Sequence, residues 1–167
     1  MPPIKLLLVD DHFVVRSGVA ASLGLEEDMR VVAGIDSADH IVQAFDEHQP
    51  DVVLMDLQLP GLSGIDATRL LLDARSGARV LIFSTFARDE EIHRALQAGA
   101  LGYLQKSASR QDLLAAIRAV ARGETSLSAH LAARLRERQA RPDITPRELE
   151  ILTLVTRGNA NKEIAAA

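Results

Sequence analysis

The chain has 167 residues, 47% of them apolar and 25% charged, a net charge of −4 and no cysteine. That length holds one full domain plus something smaller, and the composition is that of a folded globular chain rather than a disordered one. Without cysteine there is no disulfide scaffold, thiolate chemistry or zinc-cysteine site, as suits a reducing compartment. The longest aliphatic runs fall well short of a bilayer span, and Asp10 and Asp11 interrupt a signal-peptide reading of the N-terminus. The expectation is a cytoplasmic chain with no membrane contact. Residues 1–123 carry a net −5 and residues 124–167 a net +1, so any contact with nucleic acid belongs to the second part.

Five short apolar runs recur along the first part: Ile4 to Val9, Val31 to Ile35, Val52 to Met55, Val80 to Phe83, and Leu101 to Leu104. Most are continuous rather than alternating, the pattern of strands covered on both faces. Each gap between them holds one helix. Leu70, Leu71 and Ala74 after Gly64 supply one apolar stripe, and Ile92, Ala95 and Leu96 after Asp89 another. The clearest helix is predicted over 109–122, with Leu113, Leu114, Ile117, Val120 and Ala121 on one face, Ser109 as N-cap and Gly123 as the stop. Strand and helix alternating five times predict an α/β, doubly wound domain with a five-stranded parallel sheet over residues 1–123.

Residues 124–143 read as a partly helical linker, with Leu127, Leu131 and Leu135 at helical spacing among Arg134, Arg136 and Arg138. The arginines are a solvated helix face on this reading. A new helix opens at Thr145, an N-cap followed by Pro146 at the first helical position and Glu148 three residues after the cap. Gly158 ends it, and another helix begins around Asn159 to Asn161.

In such a sheet, ligands sit beyond the carboxyl ends of the strands. The residues there are Asp10 and Asp11, Asp56, Ser84 and Lys106. If the strand order is 2-1-3-4-5, the first and third strands are neighbours and three carboxylates crowd one pocket. Like charges so close require a counter-ion, and an all-oxygen cluster suits a hard divalent cation, most naturally Mg²⁺. Asp56 can then attack phosphorus, with the cation and Lys106 neutralising charge on the transferring oxygens. Pro60 and Gly61 are expected to form a turn with positive φ at the glycine. The glycines do not form a dinucleotide fingerprint, and the histidines show no metal-ligand spacing; His12 borders the pocket but is expected to face solvent.

These segments resemble the receiver domain of two-component response regulators. The matching residues are Leu8-Val9-Asp10-Asp11, Val53-Leu54-Met55-Asp56 with Pro60 and Gly64, Phe83-Ser84, and Ala98 to Lys106. The resemblance implies the flavodoxin-like order 2-1-3-4-5 and a phosphoryl group accepted by Asp56 from a sensor histidine kinase. It implies Mg²⁺ held by Asp11, Asp56 and the main-chain carbonyl of Gln58, with Asp10 acting mainly through water. It also gives Ser84 and Tyr103 a switching role, in which the Ser84 hydroxyl moves to the phosphoryl group and the ring of Tyr103 fills the space left. The surface around the fourth helix, fifth strand and fifth helix is then where a partner or second copy docks, so homodimerisation is expected on phosphorylation. Ser107 stands where many receivers have proline. Phe86 is placed to crowd an attacking water and prolong the phosphorylated state.

Residues 144–167 resemble the start of a LuxR-type helix-turn-helix through Thr145-Pro146-Arg147-Glu148-Leu149-Glu150-Ile151-Leu152, Gly158, and Asn161-Lys162-Glu163-Ile164-Ala165. Asn159 and Ala160 depart from the usual apolar residue and serine cap. The resemblance implies a regulator of the NarL/FixJ type, not an enzyme, that controls transcription. The recognition helix that enters the major groove is not among these residues, so DNA is expected to be a partner only of the complete protein. The alternatives are a stand-alone receiver acting by protein contacts or as a phosphate sink, and a small-molecule phosphotransferase or phosphatase, for which no separate general acid or cap region is found.

Overall fold

Continuous aliphatic runs can be covered on both faces only inside a sheet flanked by helices, and that is where they lie. The computed structural model describes residues 2–86, 88–129, 131–133 and 136. The runs form β1 (Ile4–Val9), β2 (Met29–Ile35), β3 (Val52–Met55), β4 (Val80–Ser84) and β5 (Gly102–Gln105). Between and after them come α1 (Phe13–Leu23), α2 (Ile41–His48), α3 (Gly64–Ala74), α4 (Asp89–Gln97) and α5 (Arg110–Ala121). Every strand pairing is parallel, and the order 2-1-3-4-5 is the one expected. β2 begins two residues earlier than its apolar run, with a register shift opposite Leu6 and Leu7.

Side chains alternate between the two faces of the sheet. Leu6, Leu8, Leu54, Leu81, Phe83 and Leu104 pack with Leu113, Leu114, Ile117 and Val120 of α5 and Leu23 of α1 in one core cluster. Leu7, Val9, Val53, Met55, Ile82 and Tyr103 alternate to the other face and are also buried. Ser109 caps α5 as expected, its hydroxyl accepting from the Asp112 N–H, and Gly123 at φ +79° stops the helix. The buried side of α3 differs from its predicted stripe: Ile65, Ala67, Thr68 and Leu71 face inward, while Leu70 and Ala74 are exposed. Thr68 can be buried because its hydroxyl donates to the Gly64 carbonyl, leaving no polar atom unpaired.

A sixth strand, β6 (Ser126–Leu127), joins the five expected and pairs in parallel with β5. Leu127 therefore lies in a strand, not on the linker helix its spacing suggested. The physical reason is Gly102: its missing side chain leaves the outer edge of β5 open, and the Ser126 carbonyl approaches to within 2.7 Å of where a Cβ would sit. Helical backbone begins at Ala129, and Leu131 is buried. The compact unit formed by these elements ends at Ala132, and a second unit spans Ala133–Ala167. Leu135 and the whole helix-turn-helix expectation for 144–167 lie outside the described residues.

An ion-pair latch ties the turn after α1 to α5. Arg118 donates to both oxygens of Asp28 at 2.8 and 2.9 Å and to Glu26 at 2.8 Å, and Arg110 donates to Glu26 at 2.7 Å. Hydrogen bonds from Arg110 and Arg118 hold the Glu26 carboxyl below the usual range, and those from Arg118 do the same for Asp28. Depressed carboxyl values mean stability that is present above the unfolded values and lost as pH falls through the folded ones, below about pH 4. Arg118→Ala is expected to lower the urea midpoint at pH 7 and to shrink that deficit at pH 3. A deficit of equal size at both pH values would show that the latch contributes by packing and not by charge.

Candidate functional site

The sheet places the polar residues by extending its ladder one rung past each strand. The Asp10 N–H donates to the Ile35 carbonyl at 3.1 Å, that of Asp56 to Val9 at 2.8 Å, and that of Lys106 to Ser84 at 2.9 Å. Three candidate side chains from three chain segments are thus pinned by their own backbones at one end of the sheet. Gly61 has φ +75°, as the Pro60-Gly61 turn required.

Lys106 is the centre of the cluster. Its Nζ lies 2.6 Å from Asp10 Oδ2 and 2.7 Å from Asp56 Oδ2. Both carboxylates are buried, at 6% and 4% exposure. Burial acts to lower the pKa of the Lys106 ammonium, but the hydrogen bonds it donates to Asp10 and Asp56 outweigh it and hold the value above that of an ordinary lysine. The second oxygens are also occupied: Asp10 Oδ1 accepts the His12 N–H at 2.9 Å, and Asp56 Oδ1 accepts the Gln58 N–H at 3.4 Å. Gln58 is thereby drawn beside the Asp56 carboxylate.

Asp11 sits exposed at the mouth, its Oδ1 2.8 Å from His12 Nδ1. Donor atoms of Asp10, Asp11, His12 and Asp56 all lie within 4.8 Å of one another. Three carboxylates with one ammonium leave a net negative, oxygen-rich pocket, a donor set that fits a hard divalent cation.

Ser84 and Tyr103 meet at the backbone of Phe86. The buried Ser84 Oγ accepts the Phe86 N–H at 3.3 Å, and the Tyr103 hydroxyl donates to the Phe86 carbonyl at 2.6 Å. The Tyr103 ring is seated inward, 1% exposed. Burial pushes the phenol up to about 12; a hydrogen bond with Ser84 opposes that, and the charges of Glu91 and Asp56 add to it. The Phe86 ring itself is 41% exposed and lies under the Arg88 guanidinium, 5.9 Å from its carbon.

Arg16, Phe13 and Val14 escaped the sequence reading, and His12 was read only in part. His12, expected to face solvent, is exposed but engages Asp11 and sits in the cluster. Arg16, one helical turn later on α1, donates through its guanidinium to the Asp10 carbonyl; the i, i+4 spacing from His12 was the available signal. Phe13 and Val14, 71% and 78% exposed, open α1 beside the pocket, and no periodic pattern marks a residue left outside the core.

An open parallel sheet with this cluster of carboxylates and one lysine at its carboxyl ends defines a receiver-type α/β domain. The sequence profile of the response regulator receiver domain matches residues 6–118. The chain is 37% identical over 169 aligned positions to the transcriptional regulatory protein LiaR of Bacillus subtilis, covering 96% of this chain and 80% of LiaR. It is 35% identical to the response regulator protein VraR of Staphylococcus aureus, covering 98% of this chain and 81% of VraR. Among solved structures, a LuxR-family two-component response regulator from Aurantimonas superposes with a TM-score of 0.78 at 34% identity, covering 83% of this chain and 99% of that one. The response regulator ChrA of a heme-sensing two-component system gives 0.69 at 36% identity, covering 99% and 81%. The chain belongs to the response regulators, with a receiver domain homologous to those of LuxR-family regulators that control transcription in two-component systems. Receiver domains bind Mg²⁺ at the acidic cluster that Asp10, Asp11 and Asp56 form in this chain.

Gly64 fixes where Asp56 stands. Its N–H donates to the Leu57 carbonyl at 2.9 Å, and a Cβ there would lie 1.9 Å from the Asp56 carbonyl oxygen. The backbone of the α3 start therefore packs directly on that of Asp56. Gly64→Ala is expected to cost about 1–3 kcal/mol in urea unfolding, because backbone must move to admit the methyl group. Unchanged stability would mean that the α3 start does not constrain Asp56.

Proposed function

We propose that Asp56 is the phosphoacceptor of this regulator, charged by a phosphohistidine of a sensor kinase, and that residues 144–167 lead into a LuxR-type DNA-binding domain. The observation that carries the reading is Lys106, held between Asp10 and Asp56 at the carboxyl ends of β1, β3 and β5. A protonated lysine in hydrogen-bond contact with a buried carboxylate is placed to follow charge onto a phosphoryl oxygen as it forms.

An Asp56 carboxylate oxygen attacks phosphorus, the P–O bond forms and the P–N bond to the donor imidazole breaks. The product is an acyl phosphate on Asp56. Mg²⁺, when bound, neutralises charge on the transferring oxygens. Asp11, Asp56 and the Gln58 carbonyl would hold it, with Asp10 acting mainly through water. Lys106 bridges Asp10 and Asp56 before transfer and pairs with the phosphoryl group afterwards. The Ser84 hydroxyl leaves the Phe86 N–H to donate to a phosphoryl oxygen, and the space it vacates favours the inward seat of the Tyr103 ring over an outward one. Phosphorylation in this way selects one of two packings of a surface through which the chain pairs with a second copy. A donor protein docks across the exposed Phe13 and Val14 beside the pocket, an apolar pair that burial against a partner helix accounts for.

Incubation with acetyl phosphate and Mg²⁺ is expected to add one phosphoryl group to the wild type, and none to Asp56→Asn or in the presence of EDTA, as read by intact mass. Full labelling of Asp56→Asn would overturn the assignment. Phe13→Asp is expected to slow transfer from the kinase at least about tenfold while leaving acetyl phosphate labelling unchanged. Equal slowing of both would place Phe13 in the chemistry rather than in docking. The labelled protein is expected to shift toward dimer in light scattering, and an unchanged mass would count against pairing.

A further inference from the structure

The segment after α5 turns at Gly123 and lays Ser126 and Leu127 along the outer edge of β5, beyond residue 118, where the receiver-domain profile ends. The fit is close. The Ser126 N–H donates to the Leu101 carbonyl at 2.9 Å, and a Cβ at Gly102 would meet the Ser126 carbonyl oxygen at 2.7 Å and the Leu81 side chain at 2.8 Å. Leu127 is the register partner of Tyr103, and Gly102 that of Ser126. Leu131, 3% exposed, anchors the far end. Tyr103, Leu127 and Leu131 line one groove of about 410 Å³ together with Ala116 and Ala119 of α5.

We propose that residues 126–129 and Leu131 form a strap that docks cooperatively with the inward seat of Tyr103, so that the state of the phosphoacceptor end of the sheet is carried to Ala132, where this compact unit ends. The proposal rests on the reading of Tyr103 as a switch residue. Its physical basis is that packed strands are bistable rather than continuously deformable. The Gly102–Ser126 approach leaves no slack, so a backbone shift at 102–103 of a few tenths of an ångström must carry β6 with it or part from it. The coupling is reciprocal: whatever loosens the strap must loosen the ring by the same factor. The inward ring and the docked strap coexist in this structure. Phosphorylation, which favours the inward ring, therefore tightens the strap.

Tyr103 is the only tyrosine and the chain has no tryptophan, so its fluorescence reports the ring alone. In the full chain, Gly102→Ala introduces the clashing methyl group, and Ser126→Pro removes the donor to Leu101 outside the core. Each is expected to raise acrylamide quenching of Tyr103 and amide exchange at Leu127, Leu131 and Ala132 by about fivefold or more. In the other direction, Tyr103→Ala is expected to speed exchange at the same amides by a similar factor. Exchange that rises in Ser126→Pro with unchanged quenching, or strap amides indifferent to Tyr103→Ala, would overturn the proposal. Ser126→Pro decides if Gly102→Ala does not fold. None of these arms needs a phosphoryl group. Beryllium fluoride with Mg²⁺, its binding followed by fluorine resonance, is expected to slow exchange of the wild-type strap. Bound analogue with unchanged exchange overturns the proposal, whereas an analogue that does not bind counts against Asp56 as acceptor and leaves the strap to the variants.

Discussion

One ammonium group sets the terms for the carboxyl end of this sheet. Asp10 and Asp56 are both buried, and two carboxylates so close destabilise a fold unless a positive charge stands between them. Lys106 meets both at hydrogen-bond distance. Because its N–H also closes the last rung from Ser84, the lysine cannot be moved without disturbing the end of β4, where Ser84 and the Phe86 backbone begin. The charge balance of the pocket and the packing around Ser84 are thus one problem, solved by one residue.

That coupling explains how a static arrangement can act as a signalling element. The neutralisation by Lys106 is partial: with Asp11 at the mouth the pocket stays net negative, which favours a divalent cation and through it the approach of a phosphoryl group. In the proposed mechanism, added phosphoryl oxygens compete for Lys106 and for the Ser84 hydroxyl; Ser84 and Tyr103 share the Phe86 backbone as a partner. In the proposed mechanism, a change of charge at Asp56 is felt by Ser84, and the two hydrogen bonds at Phe86 link Ser84 to Tyr103 on β5, toward the edge of the sheet. β6 lies on that edge.

Much of this was legible in the sequence, for identifiable reasons. The five strands announced themselves because burial on both faces demands unbroken aliphatic runs, and the residue after each run falls at the carboxyl edge by topology alone. That is why Asp10, Asp56, Ser84 and Lys106 could be named before their distances were known. Caps were equally readable, since Ser109 and the stop at Gly123 are local chemistry. What escaped depends on how individual side chains and backbones meet once the chain has folded. The inward face of α3 rests on Thr68, which reads as polar until its bond to Gly64 is seen. β6 has two residues, too few for any period, and exists because Gly102, more than twenty positions away, leaves room for the Ser126 backbone. His12 looked like a solvated residue because exposure and engagement with Asp11 are not exclusive.

The central claim is tested most directly by a double-mutant cycle on Lys106 and Asp10, read as urea unfolding of the whole chain at neutral pH. Lys106→Met alone should cost about 3 kcal/mol or more, since it strands two buried carboxylates. Adding Asp10→Asn should restore a large part of that loss, with a coupling energy well above about 1 kcal/mol. If the two substitutions instead add, with Asp10→Asn bringing no recovery, the lysine is not what holds the acidic pocket together and its electrostatic role is refuted.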